Sequence, residues 1–580
     1  MSQFKTPDIY YQENSQSSKN YTEIASAIPA FIGFTEKTRG EQGVSLLLRP
    51  IKISNIEEYQ SNFGYAQTES FTVTYDSIRQ VYDIEDIDKL QNTENRPFTF
   101  YLHQAIEHFF ENGGSSCYVV SIGGHDILKQ DITSTMFLEA IDLLQEIEEI
   151  SLLSLPECAL LDTTPYYVVQ NYALQHCKYM KNRIALVDVL QVNGFYKGDV
   201  HIDCNTMREE LSQGLNYGAT YYPYLYSTSA RSYRDSEITV NYELSLRKLH
   251  PNYSENFFSL DGRKLDQYGF LLSDDLKQDV YTVYIALDQT TLVDTMGYAI
   301  EKDGQRKQET PPYGIFTDEE ESSYINIDGF VTSGIHSNSI DTVNGRVKKE
   351  ILYQNLKLRQ NLEYLSNTKG HLASLKIYND VKLRLSNNPL ILPPSAVVAG
   401  MIAKLDETIG VWKAPANIAL EKVMAPVIDI DSGEQEYLNY DPKAGKSINA
   451  IRRFIGKGTR VWGSRTLTGN DNEWRYINVR RLFNMIEQTL RKTTQFAVFD
   501  SNTPFTWLKI KVTIENYLEG LWQQGALLGT TPDSAFFVNV GLGQTMTQED
   551  INNGLIHVEV GLAAVRPAEF IILTFSHNSL

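Results

Sequence analysis

Gly445, Lys446 and Ser447 stand in the order that closes a phosphate-binding loop, where the lysine reaches the phosphates and the hydroxyl meets magnesium. That loop also needs a glycine five residues before its second one. Tyr440 occupies that place, and Pro442 lies within the would-be cradle. Gly456-Lys457-Gly458-Thr459 has the same flavour without the framework, and reads as a glycine turn between packed elements. His103 and His108 fall on one predicted helix, but five residues set them about 140° apart around it, too far for a shared metal. No HExxH and no GxSxG occurs. Cys117, Cys158, Cys177 and Cys204 are widely spaced with no CxxC pair, which argues against a zinc site or disulfide framework and is compatible with a reducing compartment. Cys117 begins an apolar strand and reads as core, whereas a reactive thiol needs an accessible electropositive site. Glu107 reads as a solvated helix residue, and Glu146, Glu148 and Glu149 as a charged helix face. The sequence therefore assigns no catalytic residue, no metal ligand and no cofactor site.

Elements must position whatever these residues do. The 580 residues allow three or four domains at about 150 residues each. Apolar residues make up 42% and charged residues 21%, which excludes global disorder. The 35 tyrosines suit large, partly wet contact surfaces, and AT-biased coding would raise the same count. A formal net charge of −20 argues against nucleic acid as a partner. Within 446–511, however, thirteen Lys and Arg face four acids, so this window is +9 and the remainder −29. A basic segment in an acidic chain points to an acidic partner surface, another copy of the same chain included; a few solvated arginines on a helix are the plainer reading. The N-terminus has no apolar signal region, and the most apolar stretch, 389–405, is broken by Pro393, Pro394 and Lys404. The expectation is a soluble chain without membrane insertion.

Residues 1–24 read as an arm, with an extended piece at Thr6, Pro7, Ile9, Tyr10 and Tyr11 and a polar stretch over 12–20. Ala27–Glu36 predicts a buried strand. Leu102–Asn112 predicts an amphipathic helix stopped by Gly113 and Gly114, followed by a strand at Cys117–Ile122. Met136–Glu149 predicts a helix, Glu157–Asp162 a strand, Val168–Met180 a helix and Arg183–Val189 a strand, the alternation of an α/β core. Tyr221–Ser227 predicts a tyrosine-rich strand. Val347–Leu365 and His371–Leu385 predict two helices joined at Thr368–Gly370. Thr503 and Pro504 start a helix whose apolar face takes Phe505, Leu508, Val512, Leu518, Leu521 and Trp522. Ala535–Val540 and Leu555–Leu562 predict strands, with a tight turn at Asn553-Gly554 before the second. In Glu569–Ser576, Phe570 and Ile572 point one way and Ile571, Leu573 and Phe575 the other. Such a two-faced strand is either central in its own domain or donated to a neighbouring subunit.

Leu392–Asn417 (LPPSAVVAGMIAKLDETIGVWKAPAN), Ile448–Leu467, Trp474–Gly529, Ala535–Gly541 and Gly561–Ser576 together resemble the C-terminal domain of contractile tail sheath proteins, in family order over nearly 190 residues. The N-terminal half is similar more loosely, through TPDIY, AIPAFIGFTE, Pro50–Gly64 and AIEHFFENGGSSCYVVSI; the family usually has Gly where this chain has Asp8. Residues from roughly 190 to 385 carry no match, as the family's variable outer domain implies. The resemblance implies a mixed α+β, multidomain fold. In it a tube-facing α/β core is built from N- and C-terminal parts, an outer domain is inserted, and both extended arms donate strands. The implied division is an arm over 1–24, core over 25–190, inserted domain over 191–388, core over 389–566 and arm over 567–580. Strand donation would fall to Thr6, Ile9, Tyr10, Phe570, Ile571, Ile572, Leu573 and Phe575. Arg452, Arg453, Arg480, Arg481, Arg491 and Lys492 are the candidate contacts to the tube or a neighbour.

The implied function is structural, not enzymatic. Subunits stack as hexameric rings around an inner tube, engage baseplate and terminal cap proteins, and shorten to drive the tube through a target envelope. Assembly in a bacterial cytoplasm and residence in a phage tail or phage-tail-like particle, released or cell-anchored, go with it. A single chain with a large insert and intact arms disfavours the two-protein sheath of type VI secretion. The competing reading is a hydrolase or carbohydrate-binding module with its activity in the middle region, Tyr221–Tyr226 being the conceivable sugar-binding stretch.

Overall fold

The computed structural model describes residues 26–40, 43–76, 81–84, 99–194, 198–244, 356–367 and 372–569, with short strands between 257 and 333. The chain divides into two compact units. One draws on Met1–Gln67, Phe98–Ser229 and Leu390–Leu580, the other on Thr68–Pro97 and Ala230–Pro389.

The first unit is organised by a nine-stranded sheet. Its strands are β1 (Pro29–Thr35), β2 (Ile51–Ile53), β3 (Cys117–Gly124), β4 (Leu152–Ser154), β5 (Ile184–Asp188), β6 (Gly218–Tyr222), β9 (Ile418–Ala419), β11 (Asn449–Phe454) and β12 (Gly458–Val461). The order is β2-β3-β1-β4-β5-β6-β11-β12-β9. The run from β3 to β11 is parallel and the remaining pairs are antiparallel. Parallel strands are covered on both faces, so they read as continuous apolar runs; β1, PAFIGFT, is buried at all seven positions. Its period of two divides the core. Ala30, Ile32 and Phe34 join a cluster with Phe137, Tyr166 and Leu174, from helices α3 (Ser134–Leu143) and α4 (Thr163–Met180). Phe31 joins a second cluster with Tyr59, Phe63, Ile106, Phe109 and Ile402, from α1 (Ile56–Phe63), α2 (Leu102–Glu111) and α6 (Ser395–Thr408). A Cβ on Gly400 of α6 would stand 2.3 Å from the Phe109 carbonyl oxygen of α2, so only glycine lets these helices approach. Gly113, at φ +97°, lies just past the end of α2, as the sequence suggests.

The rest of this unit adds α5 (Val200–Glu210), α7 (Ser432–Asn439) and two small antiparallel sheets. One sheet joins β7 (Leu225–Ser227) to β8 (Ile391–Leu392) and β10 (Val423–Pro426). The other is a two-stranded ribbon of β13 (Phe536–Val540) and β14 (Val558–Leu562). The ribbon packs with α8 (Ile477–Thr494) and α9 (Pro504–Gln523) around Leu482, Ile486, Ile514, Leu518, Val538 and Leu562.

In the second unit, Phe71–Asp76 pairs in parallel with Ile238–Leu244, which pairs antiparallel with Leu356–Asn361; the sheet has seven strands. In its helix Leu372–Ser386, Tyr378 and Lys382 reach the Asp235 carboxylate at 2.9 and 3.0 Å.

Several sequence expectations change. Residues 191–229 go with the first unit, because β6 pairs with β5 inside the main sheet. Residues 68–97 go with the second, because Phe71–Asp76 finds its partner at Ile238–Leu244. Glu157–Asp162 is not a strand: Pro156–Leu160 is a 3₁₀ turn, and the strand is the preceding β4. Buried apolar residues look alike in either conformation; Pro156 at the start of the turn and the partners of Glu157 decide it. The helix expected over Val347–Leu365 is a strand up to Asn361, a helix only at Leu362–Asn367, and before 356 lies outside the described residues. Tyr221–Ser227 is split between two sheets at the cis Tyr222-Pro223 bond. The apolar face expected of α9 is also two faces. Trp507, Ile510, Ile514, Tyr517, Leu518 and Leu521 are buried, whereas Phe505 is 77% and Leu508 60% exposed, with Val512 beside them.

Candidate assembly site

The residues that first suggested chemistry are occupied by the fold. The Lys446 ammonium donates to the Arg208 carbonyl, and the Ser447 hydroxyl to the Asn439 carbonyl at 2.6 Å. Asp441 accepts the Lys443 and Ala444 N–H groups, each at 3.0 Å, where a phosphate would require free donors. His108 is buried against the Ser227 hydroxyl at 2.6 Å, and burial pushes its imidazole down to about 4. All four cysteines are buried free thiols, each pushed up by burial. Among the described residues no group of three His, Cys, Asp or Glu side chains could hold a metal ion.

Buried carboxylates instead tie elements together. Glu157 accepts the N–H groups of Phe34, Tyr101 and Leu102 at 2.6, 2.6 and 2.7 Å, holding β1 and the start of α2 on one side chain. Burial pushes it up to about 7 against those three donors. Asp188, at the end of β5, accepts both the N–H (2.7 Å) and the hydroxyl (2.6 Å) of Ser395 at the start of α6, and burial pushes it up to about 7 as well.

Arginines pin the two points where the terminal stretches join the described body. At the N-terminal side, Arg481 of α8 takes Asp406 of α6 in a two-pronged ion pair (Nη1 to Oδ1 2.9 Å) and donates to the Ser26 carbonyl at 2.8 Å. Ser26 returns its hydroxyl to Asp406 at 2.5 Å. At the C-terminal side, Arg465 holds Glu569 through Nε at 2.9 Å and Nη2 at 2.5 Å. Forked pairs of this kind fix direction as well as distance.

Of the six basic residues singled out from sequence, two are corrected. Arg480 is buried, its guanidinium 3.9 Å from the Trp474 ring centre and 4.6 Å from that of Tyr217, with Asn484 accepting at 2.8 Å. Arg481 is buried in the Asp406 pair. Neither presents charge to a partner; reversing them to Glu would bury carboxylates and test folding, not contact. Their charge had suggested a surface, but α8 is flanked by aromatic and acidic groups that take it in. Lys492 is exposed and pairs with Glu148 at 3.3 Å, while Arg491 is half-buried. Arg452 is half-buried over Phe454, and Arg453 is exposed. Thr6, Ile9, Tyr10, Phe570, Ile571, Ile572, Leu573 and Phe575 lie outside the described residues.

The ribbon, α8 and α9 fall within one recognised segment. Residues 469–577 match the phage tail sheath C-terminal domain. The tail sheath protein of Enterobacteria phage T4 is 28% identical over 143 residues, 25% of this chain and 20% of that protein. The tail sheath protein of Vibrio phage KVP40 is 23% identical over 252 residues, 42% of this chain and 34% of that protein. The matched stretches thus span well under half of either relative. Similarity of fold runs further. The anti-feeding prophage helical sheath in contracted state is similar with a TM-score of 0.51 at 24% identity, over 99% of this chain and 100% of that one. An extracellular contractile injection system, the PVC sheath complex in contracted state, gives 0.51 at 22% over 100% and 99%. The anti-feeding prophage baseplate in contracted state gives 0.55 at 21% over 99% and 98%. The mixed α/β, multidomain fold is therefore that of contractile sheath structures, and the segment similar to the phage tail sheath C-terminal domain carries the two-stranded ribbon.

Proposed function

We propose that this chain is the subunit of the contractile sheath of a phage-like injection machine. It polymerises as stacked hexameric rings around an inner tube, is anchored by baseplate and cap proteins, and contracts to drive the tube through a target envelope. One observation carries the reading: end-to-end likeness to contracted sheath structures, joined to a sheath C-terminal domain at 469–577. The role is structural and not enzymatic, with assembly in a bacterial cytoplasm and residence in the particle.

The ribbon supports the reading physically. Among the described residues β13 and β14 pair only with each other, so neither has a second strand partner there. Strands added at their edges would bring backbone hydrogen bonds that do not depend on side-chain detail. The candidates are Phe570–Phe575 and the stretch around Thr6, Ile9 and Tyr10 of neighbouring copies. Links of that kind persist while subunit bodies rotate, and contraction then releases the free-energy difference between two packings of the same surfaces.

Negative-stain electron microscopy of the chain expressed alone, then with the tube protein, tests this. Hollow tubes with helical striations are expected. A chain that remains a small particle under both conditions overturns the reading.

A further inference from the structure

Between Asp441 and Asp471 the sequence holds no carboxylate, in a chain whose net charge is −20. The middle of this stretch is the β11–β12 hairpin, closed by the pairing of Phe454 with Gly458. Gly456 and Gly458 take φ of +73° and +75°, and a Cβ on either would meet nothing within 4 Å, so the turn stands clear of the body. Ile455 at its tip is fully exposed, and Phe454 lies 4.5 Å from the half-exposed Trp462 ring. Arg452, Arg453, Lys457 and Arg460 surround this apolar point, and among the described residues none of the four is paired with a carboxylate. Arg460 holds the turn from below, donating to the Asn417 carbonyl at 2.7 Å and to the Lys457 carbonyl at 3.1 Å.

We propose that this hairpin tip is a plug that docks onto an acidic surface of a second copy of the chain, an inference that rests on the sheath reading. Its anatomy is that of an interface anchor: an apolar centre that loses its water on docking, within a cationic rim that selects the partner. The Arg460 bonds that hold the turn lower the ordering cost of binding. Charge selects the occupant. Outside 446–511 the chain carries −29, so in a homopolymer the abundant acidic surface is another copy. Copies of such charge repel one another, and a cationic plug offsets that repulsion where they meet.

The four native cysteines are buried, so Ile455→Cys gives one accessible thiol in the full chain. That thiol would carry a maleimide-benzophenone, irradiated under assembly conditions. The expected product is a covalent dimer of the chain whose bridging peptide is rich in Asp and Glu. Its yield should fall at least about tenfold when Arg452→Glu, Arg453→Glu and Lys457→Glu are combined; an unchanged thermal midpoint verifies that this variant folds. Cross-links confined to one chain, reaching a different protein such as the tube, landing on a surface without carboxylates, or indifferent to the charge reversals overturn the plug. If striated tubes form in the same sample without the dimer, the plug alone fails. If neither polymer nor dimer forms, with or without the tube protein, the sheath reading fails with it.

Discussion

At the scale of single residues, a few buried charges hold elements of this protein together. Arg481 and Asp406 are nearly inaccessible to water and satisfy one another along with Ser26. Removing either partner strands a buried charge, so Asp406→Ala or Arg481→Ala should lower the unfolding free energy by about 3–5 kcal/mol, read by urea denaturation. Asp188 gives a different signature. Its carboxyl is raised to about 7 in the folded chain, well above its ordinary value near 3.8. The folded state therefore holds this proton more tightly, and the stability it contributes is complete below pH 4 and lost as pH rises through 7. The denaturation midpoint should fall between pH 5 and 7, and Asp188→Asn should flatten that fall. An unchanged slope would assign the pH dependence elsewhere, Glu157 being the next group.

At the scale of elements, α9 separates folding from display. Leu518 is buried in the cluster with α8 and the ribbon, so Leu518→Ala should cost about 2–5 kcal/mol. Phe505→Ser with Leu508→Ser, on the exposed side, should change stability by less than about 0.5 kcal/mol per site. Equal losses in calorimetry would mean that the outward face is packed after all. The terminal strand is tested by deletion. Removing Ile571–Leu580 should leave circular dichroism and thermal midpoint intact while abolishing polymer in electron micrographs. Full-length polymer from the truncated chain would rule out donation by this end.

At the scale of the whole molecule, two units are interleaved along one chain. The second is reached by two excursions, at 68–97 and 230–389. Both excursions return to the first unit, whose sheet is built from strands on either side of them: β1 and β2 before the first, β3 to β6 between, β9, β11 and β12 after the second. Such a division lets the second unit vary in sequence while the main sheet of the first keeps its register. If the assembled polymer depends on contacts of opposite charge, its stability should fall as salt rises, because screening acts on exposed pairs and spares buried ones such as Arg481 with Asp406. Sedimentation across a salt series would show subunits released while remaining folded.

Local pattern determined much of this protein. The buried β1, the glycine stop after α2, the Pro504 helix start and most of the helix–strand alternation up to Asp188, the strand expected at Glu157–Asp162 excepted, were legible, because period, caps and glycine act within a few residues. The sheath resemblance was legible too, because its blocks are continuous in sequence. Tertiary structure alone decided the rest. Glu157 sits in a turn because N–H groups from β1 and α2 converge on it, and those groups lie more than 50 residues away in sequence. Leu356–Asn361 is a strand because Ile238–Leu244 offers it a ladder. Arg480 and Arg481 looked like surface charge until Trp474, Tyr217 and Asp406 enclosed them, while Arg453 and Lys457 kept theirs in water. Hydrophobic period is a local property. Which face of a helix meets a neighbour, and which charge finds a partner, depend on contacts distant in sequence, and only the folded chain brings them together.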